Sequence, residues 1–139
     1  MNYLLDTCII SEMVKKQPNL GVIQWINDHD EQHLFISIIS IGEISKGIHK
    51  LSDVDRKKIL STWLKDELLV RFEKRIITLD VDTISVWGKL TGEAEQKGQK
   101  LPVLDSLIAA TALAHSLVLV TRNITDFERC NVIIENPFD

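Results

Sequence analysis

Several patterns that would define a class of protein are absent from this sequence. It contains only two cysteines, Cys8 and Cys130, and their separation fits neither a metal-ligand motif nor a disulfide framework. The longest stretch without a charged residue, 106–121, is shorter than the roughly 20 apolar residues that a membrane-spanning helix needs. No basic region followed by an apolar stretch opens the chain, so no secretory signal is visible. We therefore expect a cytoplasmic protein with free thiols and no membrane association.

An excess of basic charge is absent as well. The formal net charge is -4 and the sequence pI is about 5.5, so overall electrostatics do not indicate a nucleic-acid partner. With 139 residues, of which 45% are hydrophobic and 26% charged, the chain suits one folded domain over 1–139 and is not disordered. Any nuclease assignment must therefore explain how an acidic protein accepts an anionic substrate.

What the sequence does contain is an alternation of short apolar runs with longer helical patterns. The predicted strands are 2–5, 33–38, 76–79, 117–121 and, more weakly patterned, 131–134. The predicted helices are 9–16, 20–30, 40–51, 53–72, 82–97 and 104–116, with a short turn near 124–129. This alternation predicts an α/β fold: a mostly parallel sheet of four to five strands, with helices on both faces, in three layers.

Three of these helices have recognisable start signals. Asn19 precedes apolar residues at helical spacing and is a predicted N-cap. Asp53 holds the corresponding place before the helix at 53–72. Ser40 and Glu43 have the spacing of a capping box.

Four acidic residues from distant parts of the chain are predicted to meet at one edge of the sheet. Asp6 ends the first strand, and Glu43 lies in the first turn of the helix after the second. Asp105 begins the helix that leads back into strand 117–121, and Asp126 follows that strand. Asp6, Glu43 and Asp126 come after the carboxyl ends of strands. Asp105 reaches the same edge because its helix runs antiparallel to the strand that follows it. This carboxyl edge is where open parallel sheets bind ligands.

Each acid also has a purely structural interpretation. Asp6 could cap the helix that begins after Cys8, and Glu43 could close a capping box with Ser40. Asp105 could serve the helix dipole, although the helix it opens is apolar almost all round. Asp126 also fits an ordinary turn.

Taken together, the acids favour a metal site. Adjacent carboxylates repel each other, and no basic residue except Arg122 lies near this edge in sequence. Oxygen ligands of this kind suit Mg²⁺ or Mn²⁺. Such an ion would activate water and neutralise charge on a phosphate, which would also reconcile the acidic composition with an anionic substrate.

The motifs resemble those of PIN-domain ribonucleases, and in particular the VapC toxins of bacterial toxin–antitoxin pairs, including the FitB-like branch. The similarity covers essentially the whole chain. It is carried by LLDTCIISE (4–12), SIISIGE (37–43) and, most specifically, the block LPVLDSLIAATALAHSLVLVTRNITDF (101–127).

The resemblance implies a PIN-like domain that hydrolyses RNA phosphodiesters, with transfer RNA as one candidate substrate. It implies that Asp6, Glu43 and Asp105 hold Mg²⁺ or Mn²⁺, with Glu43 binding the ion or orienting the attacking water. A fourth site falls within TRNITDF, where Asp126 offers a carboxylate and Asn123 stands where some members have an acid. Thr7 and Thr121 match small hydroxyl residues that line such clefts. Cys8 stands where many members have Asn.

The same resemblance implies two protein partners. One is a second copy of the chain, giving a homodimer. The other is an antitoxin of the VapB type, whose tail occupies the cleft and often directs an arginine at the carboxylates.

Other chemistry-bearing residues have two interpretations each. A basic group in the first half either follows an RNA backbone or is a solvated helix face: Lys15, Lys16, Lys46, His49, Lys50, Arg56, Lys57 and Lys58. Trp25, Trp63 and Trp87 favour core or dimer packing over base stacking. The histidines, His29, His33, His49 and His115, lack metal-ligand spacing.

Three other classes of protein remain as alternatives. A phosphoaspartate receiver would need a second acid near the first strand and a lysine on a late strand, and strand 117–121 has none. A haloacid-dehalogenase-type phosphatase would need an acid where Cys8 stands. A binding module that receives a basic peptide at the acidic edge is the non-enzymatic alternative.

Overall fold

Five short strands form one parallel sheet at the centre of the protein, as a computed structural model of residues 1–139 describes it. They are β1 (Tyr3–Leu5), β2 (Leu34–Ser37), β3 (Ile76–Ile77), β4 (Val118–Val120) and β5 (Ile134–Glu135). Their order across the sheet is β3-β2-β1-β4-β5, and every neighbouring pair is parallel. The central strand is β1, whose Leu4 pairs with Phe35 on one side and Leu119 on the other.

Eight α-helical segments connect the strands. They are α1 (Thr7–Glu12), α2 (Leu20–Asp28), α3 (Ile38–His49), α4 (Val54–Thr62), α5 (Leu69–Arg71), α6 (Val81–Gln96), α7 (Val103–Ala114) and α8 (Ile124–Phe127). Single 3₁₀ turns occupy Glu31–His33 and Glu128–Cys130, and a π-helical stretch, Trp63–Leu68, joins α4 to α5. None of these helices has the length and apolar character required to cross a lipid bilayer.

The sheet separates two hydrophobic cores, because neighbouring residues of a strand point to opposite faces. Leu5 and Val120 face a core completed by α1, α2, α3 and the π-helical stretch. Leu4 and Leu119 face a second core completed by α6, α7 and α8. The predicted three-layer α/β fold with a mostly parallel sheet of four to five strands is therefore confirmed.

The strand order also distinguishes this fold from one of the alternatives. Receiver domains have the flavodoxin-like order 2-1-3-4-5, whereas here β1 lies between β2 and β4. The receiver hypothesis is therefore wrong at the level of topology as well as of motif.

Several predicted boundaries are wrong. The first helix begins at Thr7 and ends at Glu12, not at 9–16, and the following residues form a loop before Pro18. The predicted helix 53–72 contains the π-helical stretch in its interior. The last strand lies at Ile134–Glu135 instead of 131–134, because Asn131 adopts a left-handed turn (φ 57°) that delays the extended backbone.

The helix starts can be compared with the predicted caps. Asn19 accepts a hydrogen bond from the backbone N–H of Val22 (3.2 Å), and Asp53 accepts from those of Asp55 and Arg56, so both predictions are confirmed. The capping box of Ser40 with Glu43 is wrong, because α3 begins two residues earlier than predicted. Its cap is Ser37, whose hydroxyl accepts from the N–H of Ile39 (3.0 Å).

Candidate active site

The candidate site lies where the sheet connections diverge. From β1 the chain proceeds to β2 and β3 on one side, while β4 and β5 lie on the other. Ligands of open α/β sheets bind in the crevice beyond the carboxyl ends of the strands at such a switch point. Asp6 directly follows β1 and Thr121 directly follows β4, so these two residues mark the crevice.

Asp6 is a buried carboxylate, 4% exposed, that performs two tasks. Its Oδ1 accepts a hydrogen bond from the N–H of Thr7 (2.8 Å), which makes it the N-cap of α1, as the structural interpretation of this residue expected. Its Oδ2 accepts from the hydroxyl of Thr121 (2.7 Å). Burial nevertheless raises the pKa of Asp6, and the negative charge of Asp105 raises it further.

Thr121 connects Asp6 to the loop that carries the fourth predicted position. Its hydroxyl is fully buried, and while donating to Asp6 it accepts a hydrogen bond from the backbone N–H of Asn123 (3.0 Å). Asn123 is the first residue before α8, yet its own side chain makes no capping hydrogen bond there. The Asn123 side chain is exposed and available to a ligand.

Glu43 is held from the opposite side of the crevice. Because α3 begins at Ile38, Glu43 lies in its second turn and faces α1. The hydroxyl of Thr7 donates to Glu43 Oε1 (2.8 Å) and lies 3.0 Å from the hydroxyl of Ser40. Ser40 and Glu43 are thus neighbours in the structure, but both are hydrogen-bonding partners of the Thr7 hydroxyl and neither caps the helix.

Asp105 and Asp126 complete the acidic group. Asp105 lies in the first turn of α7 and is half-buried, whereas Asp126 is exposed in α8. Burial raises the pKa of Asp105, and the nearby charges of Asp126 and Glu43 add to the rise. Asp105 therefore interacts electrostatically with each of the other three predicted acids at this edge of the sheet. We call Asp6, Glu43, Asp105 and Asp126 the acidic cluster.

No cation compensates this cluster. The three ion pairs of the protein join Lys15 to Glu12, Arg71 to Glu31 and Arg75 to Glu31. None involves a member of the acidic cluster, and no basic group is among those that shift the pKa of Asp6 or Asp105. Four uncompensated carboxylates at one edge are a donor set that suits a hard divalent cation.

The side chains do not, however, form a closed coordination cage. No three His, Cys, Asp or Glu side chains converge in metal-binding geometry. Both oxygens of Asp6 accept protein hydrogen bonds, and Glu43 Oε1 is turned toward Thr7. The chemistry of the donor set fits a divalent cation, and Asp105, Asp126 and Glu43 Oε2 make no hydrogen bond that a cation would have to break.

A cavity of about 280 Å³ adjoins the cluster between α1, α3 and α4. Thr7 and Glu43 line its acidic end, and Lys15 and Arg56 add two basic groups to its wall. The remaining wall is largely apolar and includes Ile44, Ile48, Leu51, Leu60 and Trp63. The predicted basic group is therefore divided, because only Lys15 and Arg56 reach this cavity.

Two residues of the site carry more polar contacts than the sequence indicated. Cys8 is half-buried, and its thiol lies 3.7 Å from Asp6 Oδ2 and 3.6 Å from the Thr121 hydroxyl. Ser40 is buried beside Thr7 and was expected only as a helix cap. The i, i+3 spacing of Ser37, Ser40 and Glu43 was the available signal, since it places Ser40 and Glu43 on one helical face.

The tryptophans and histidines lie outside the cluster. Trp25 and Trp63 pack against the first core, and the indole N–H of Trp87 donates to the Ser106 hydroxyl (3.0 Å). His29 stacks on Trp25 with ring centres 3.9 Å apart. These partners agree with the packing interpretation for the tryptophans.

A parallel sheet with carboxylates gathered at its switch point defines an α/β protein with a candidate hydrolytic metal site, and comparisons with known proteins narrow this class. The PIN domain family matches residues 3–132. Toxin FitB of Neisseria gonorrhoeae is 31% identical over 97% of both chains. The VapC ribonuclease Y4jK of Sinorhizobium fredii is 31% identical over 98% of this chain and 97% of its own.

Solved structures agree with these sequence relatives. The FitAcB crystal structure from Neisseria gonorrhoeae superimposes with a TM-score of 0.90 at 31% identity, covering 97% of both chains. VapBC2 of Rickettsia felis, crystallised with a DNA fragment from its promoter, gives 0.80 at 30% identity and 98% coverage of both. The chain belongs to the PIN domain family, in the group of VapC and FitB toxins.

Proposed function

We propose that this protein is a Mg²⁺- or Mn²⁺-dependent endoribonuclease and the toxin of a bacterial toxin–antitoxin pair, acting in the cytoplasm as one PIN domain over 1–139. The observation that carries the proposal is the acidic cluster at the switch point of the sheet, which no protein cation compensates. Relatives named as VapC ribonucleases align over nearly the whole chain, which supports the same reaction class.

Each residue of the cluster has a proposed role. Asp6, Glu43 and Asp105 would hold the ion, which would supply Lewis acidity and an activated water for phosphodiester hydrolysis. Asp6 is oriented by the N–H of Thr7 and the hydroxyl of Thr121. Asp126 adds a fourth carboxylate whose charge acts on Asp105, and the exposed amide of Asn123 directly precedes the same helix.

The raised pKa values fit this division of labour. Burial holds the pKa of Asp6 above its usual range, so without a cation its carboxyl keeps the proton to a higher pH than an exposed aspartate does. A divalent ion would favour the carboxylate forms of Asp6 and Asp105 and release protons on binding. Metal affinity should therefore fall as the pH is lowered.

We further propose that the partner of this chain is a VapB-type antitoxin. The FitAcB and VapBC structures are toxin–antitoxin complexes of related proteins. Here the cavity next to Glu43 has the apolar wall that an amphipathic helix would need. Its acidic end would receive a basic side chain from the same segment. A homodimer is proposed by family likeness alone.

The proposal is tested by sequencing RNA ends after brief expression of the chain in bacteria. The wild-type chain should produce new, metal-dependent ends, and transfer RNA is the first class to inspect. Asp6→Asn should produce none while accumulating to the same level. Undiminished cleavage by this variant would overturn the proposal.

The alternative of a binding module makes a different prediction. If the acidic cluster only receives a basic peptide, it needs no cation, so Mn²⁺ should leave the thermal stability of the protein unchanged. A Mn²⁺-dependent rise in Tm together with RNA cleavage would exclude that alternative.

A further inference from the structure

Arg122 directly follows Thr121 at the edge of the candidate site, and although its charge, after Lys15, helps to lower the pKa of Glu12, its guanidinium forms no direct ion pair. Its side chain takes part in none of the three ion pairs of the protein. The residue is exposed, so its guanidinium is accessible to a ligand. Its Cζ lies 4.7 Å above the centre of the Phe138 ring, so an aromatic face holds one side of the group.

Phe138 belongs to segment 136–139, which is fixed against the start of α2. The carboxylate of Asp139 accepts a hydrogen bond from the N–H of Gly21 (3.0 Å), and the N–H of Asp139 donates to Asn19 Oδ1 (3.3 Å). The ring of Phe138 packs against the first hydrophobic core.

Gly21 shows how closely this segment approaches the helix. A Cβ at position 21 would lie 2.5 Å from the carbonyl oxygen of Pro137 and 2.3 Å from Asp139 Oδ1. A side chain there would collide with the backbone of the segment. The glycine therefore permits the contact that places Phe138 under Arg122.

Arg122 lies beside the acidic cluster and not within it. Its backbone N–H donates to the Cys8 sulfur (3.5 Å), and that thiol in turn lies against Asp6. Its guanidinium forms no ion pair with Asp6, Glu43, Asp105 or Asp126. A phosphate that contacts Arg122 would therefore be a neighbour of the group held by the cluster and a different one from it.

We propose that Arg122 binds a backbone phosphate of the RNA adjacent to the phosphodiester that is cleaved, and that Phe138 is the positioning residue for its guanidinium. The inference rests on the proposed endoribonuclease function. The Phe138 ring covers one side of the exposed guanidinium and leaves its other sides open, and the fork of its N–H groups matches two phosphate oxygens. The contact would let an acidic protein bind RNA locally despite its net charge.

The proposal is tested by titrating a short fluorescein-labelled single-stranded RNA in Mg²⁺ and following its anisotropy. The full chain is used with Asp105→Asn in every sample, which slows cleavage and lowers ion binding equally throughout, so that differences between samples report the second substitution alone. Adding Arg122→Gln should weaken binding by about tenfold, the effect of losing one charged hydrogen-bonding group. The slope of log affinity against log salt should fall by about 0.7, the value for one phosphate contact with a single strand.

Arg129→Gln is the matched control, because it removes the same charge from an exposed arginine. Arg129 lines a separate cavity with Lys97 and Asn131 on the α6 side of the sheet. We expect this variant to bind the RNA as the parent does. Equal losses for Arg122→Gln and Arg129→Gln, or no loss for either, would overturn the proposal.

Phe138→Leu tests the positioning role, since leucine retains apolar packing but has no aromatic face. It should weaken RNA binding when Arg122 is present and have no further effect in the Arg122→Gln background. In the active enzyme it should raise KM with little change in kcat, while Phe138→Tyr should behave as wild type. Equal losses in both backgrounds would mean that Phe138 acts only on the fold.

The outcomes for the two proposals can be told apart. If the wild-type chain binds the RNA but does not cleave it with Mg²⁺ or Mn²⁺, the proposed function is overturned. The titration would still show whether Arg122 contributes to RNA binding. If the wild-type chain cleaves RNA but Arg122→Gln binds RNA with the affinity of its parent, only the inference about Arg122 is overturned.

Discussion

Two acidic regions of this protein treat their carboxylates in opposite ways. Glu31 lies between two arginines: Arg71 reaches it with Nε and Nη2, the latter at 2.7 Å, and Arg75 with Nη2 at 2.9 Å. The hydrogen bond from Arg71 is the main cause that lowers the pKa of Glu31. In the acidic cluster, burial raises the pKa of Asp6 and of Asp105, and no cation opposes it.

This difference separates an acid that supports the fold from acids that are available to a ligand. Arg75 also donates to the carbonyl oxygens of Glu31 and Leu34 (both 2.6 Å) and lies over the Phe72 ring, so the Glu31 group joins several elements. The acidic cluster joins elements too, but it leaves negative charge unbalanced. Proteins keep such unbalanced sites mainly where the charge has a function.

The largest expected effect is on RNA cleavage. In a purified reaction with Mn²⁺, Asp105→Asn should reduce the cleavage rate by about 100-fold or more, because it removes charge from the group that stabilises the transition state. Glu31→Gln removes the acid that is paired with two arginines. It should leave the cleavage rate within about twofold, since an exposed ion pair contributes little to stability and this one lies outside the acidic cluster. Comparable losses in the two variants would remove the distinction between the regions.

A second prediction concerns the hydroxyl that holds Asp6. Thr121→Val deletes one fully buried hydroxyl, which donates to Asp6 Oδ2 and accepts from the backbone N–H of Asn123. We expect the free energy of unfolding, measured in urea, to fall by about 1–3 kcal/mol. Thr111→Val is the control: this equally buried threonine bonds only to the carbonyl of Leu107, and its loss should cost about 1 kcal/mol or less. A Thr121→Val cost no larger than the control would contradict the account.

The smallest expected effect is the pH dependence of stability without metal. The folded-state pKa of Asp105 is raised, so its ionisation penalises the fold as the pH rises through that pKa. The Tm of Asp105→Asn should therefore rise relative to that of wild type as the pH increases from acidic to neutral. Glu31, whose pKa is lowered, contributes stability above its unfolded pKa and loses it as the pH falls through the folded one.

Glu31→Gln should accordingly lose Tm relative to wild type at neutral pH and converge with it in acid. The two Tm differences, measured by calorimetry in EDTA over this range, should move in opposite directions with pH. Parallel trends would show that the two regions do not differ in the proposed way.

Much of the fold was predictable because its signals are local. The apolar runs around Leu4 and Leu119 and the caps at Asn19 and Asp53 are read directly from neighbouring residues. The convergence of Asp6, Glu43 and Asp105 was predictable from strand direction alone, since helices return antiparallel and place their starts at one edge.

What could not be predicted depends on contacts between distant residues. The start of α3 was assigned to Ser40, because a capping box has the same spacing as two residues that serve Thr7 from one helical face. Phe138 packs under Arg122 because segment 136–139 approaches α2 closely. Gly21 permits that approach, and it lies more than a hundred residues away from both Arg122 and Phe138 in sequence. No periodicity in the sequence encodes either contact.

The most direct test of the account is the binding of Mn²⁺ by calorimetric titration of the purified chain. Wild type and Glu31→Gln should bind the ion alike, releasing protons as they do so, and Asp6→Asn and Asp105→Asn should each lose most of the affinity. Binding that is equal in all four proteins, or absent from wild type, would contradict the claim that the acidic cluster is a metal site.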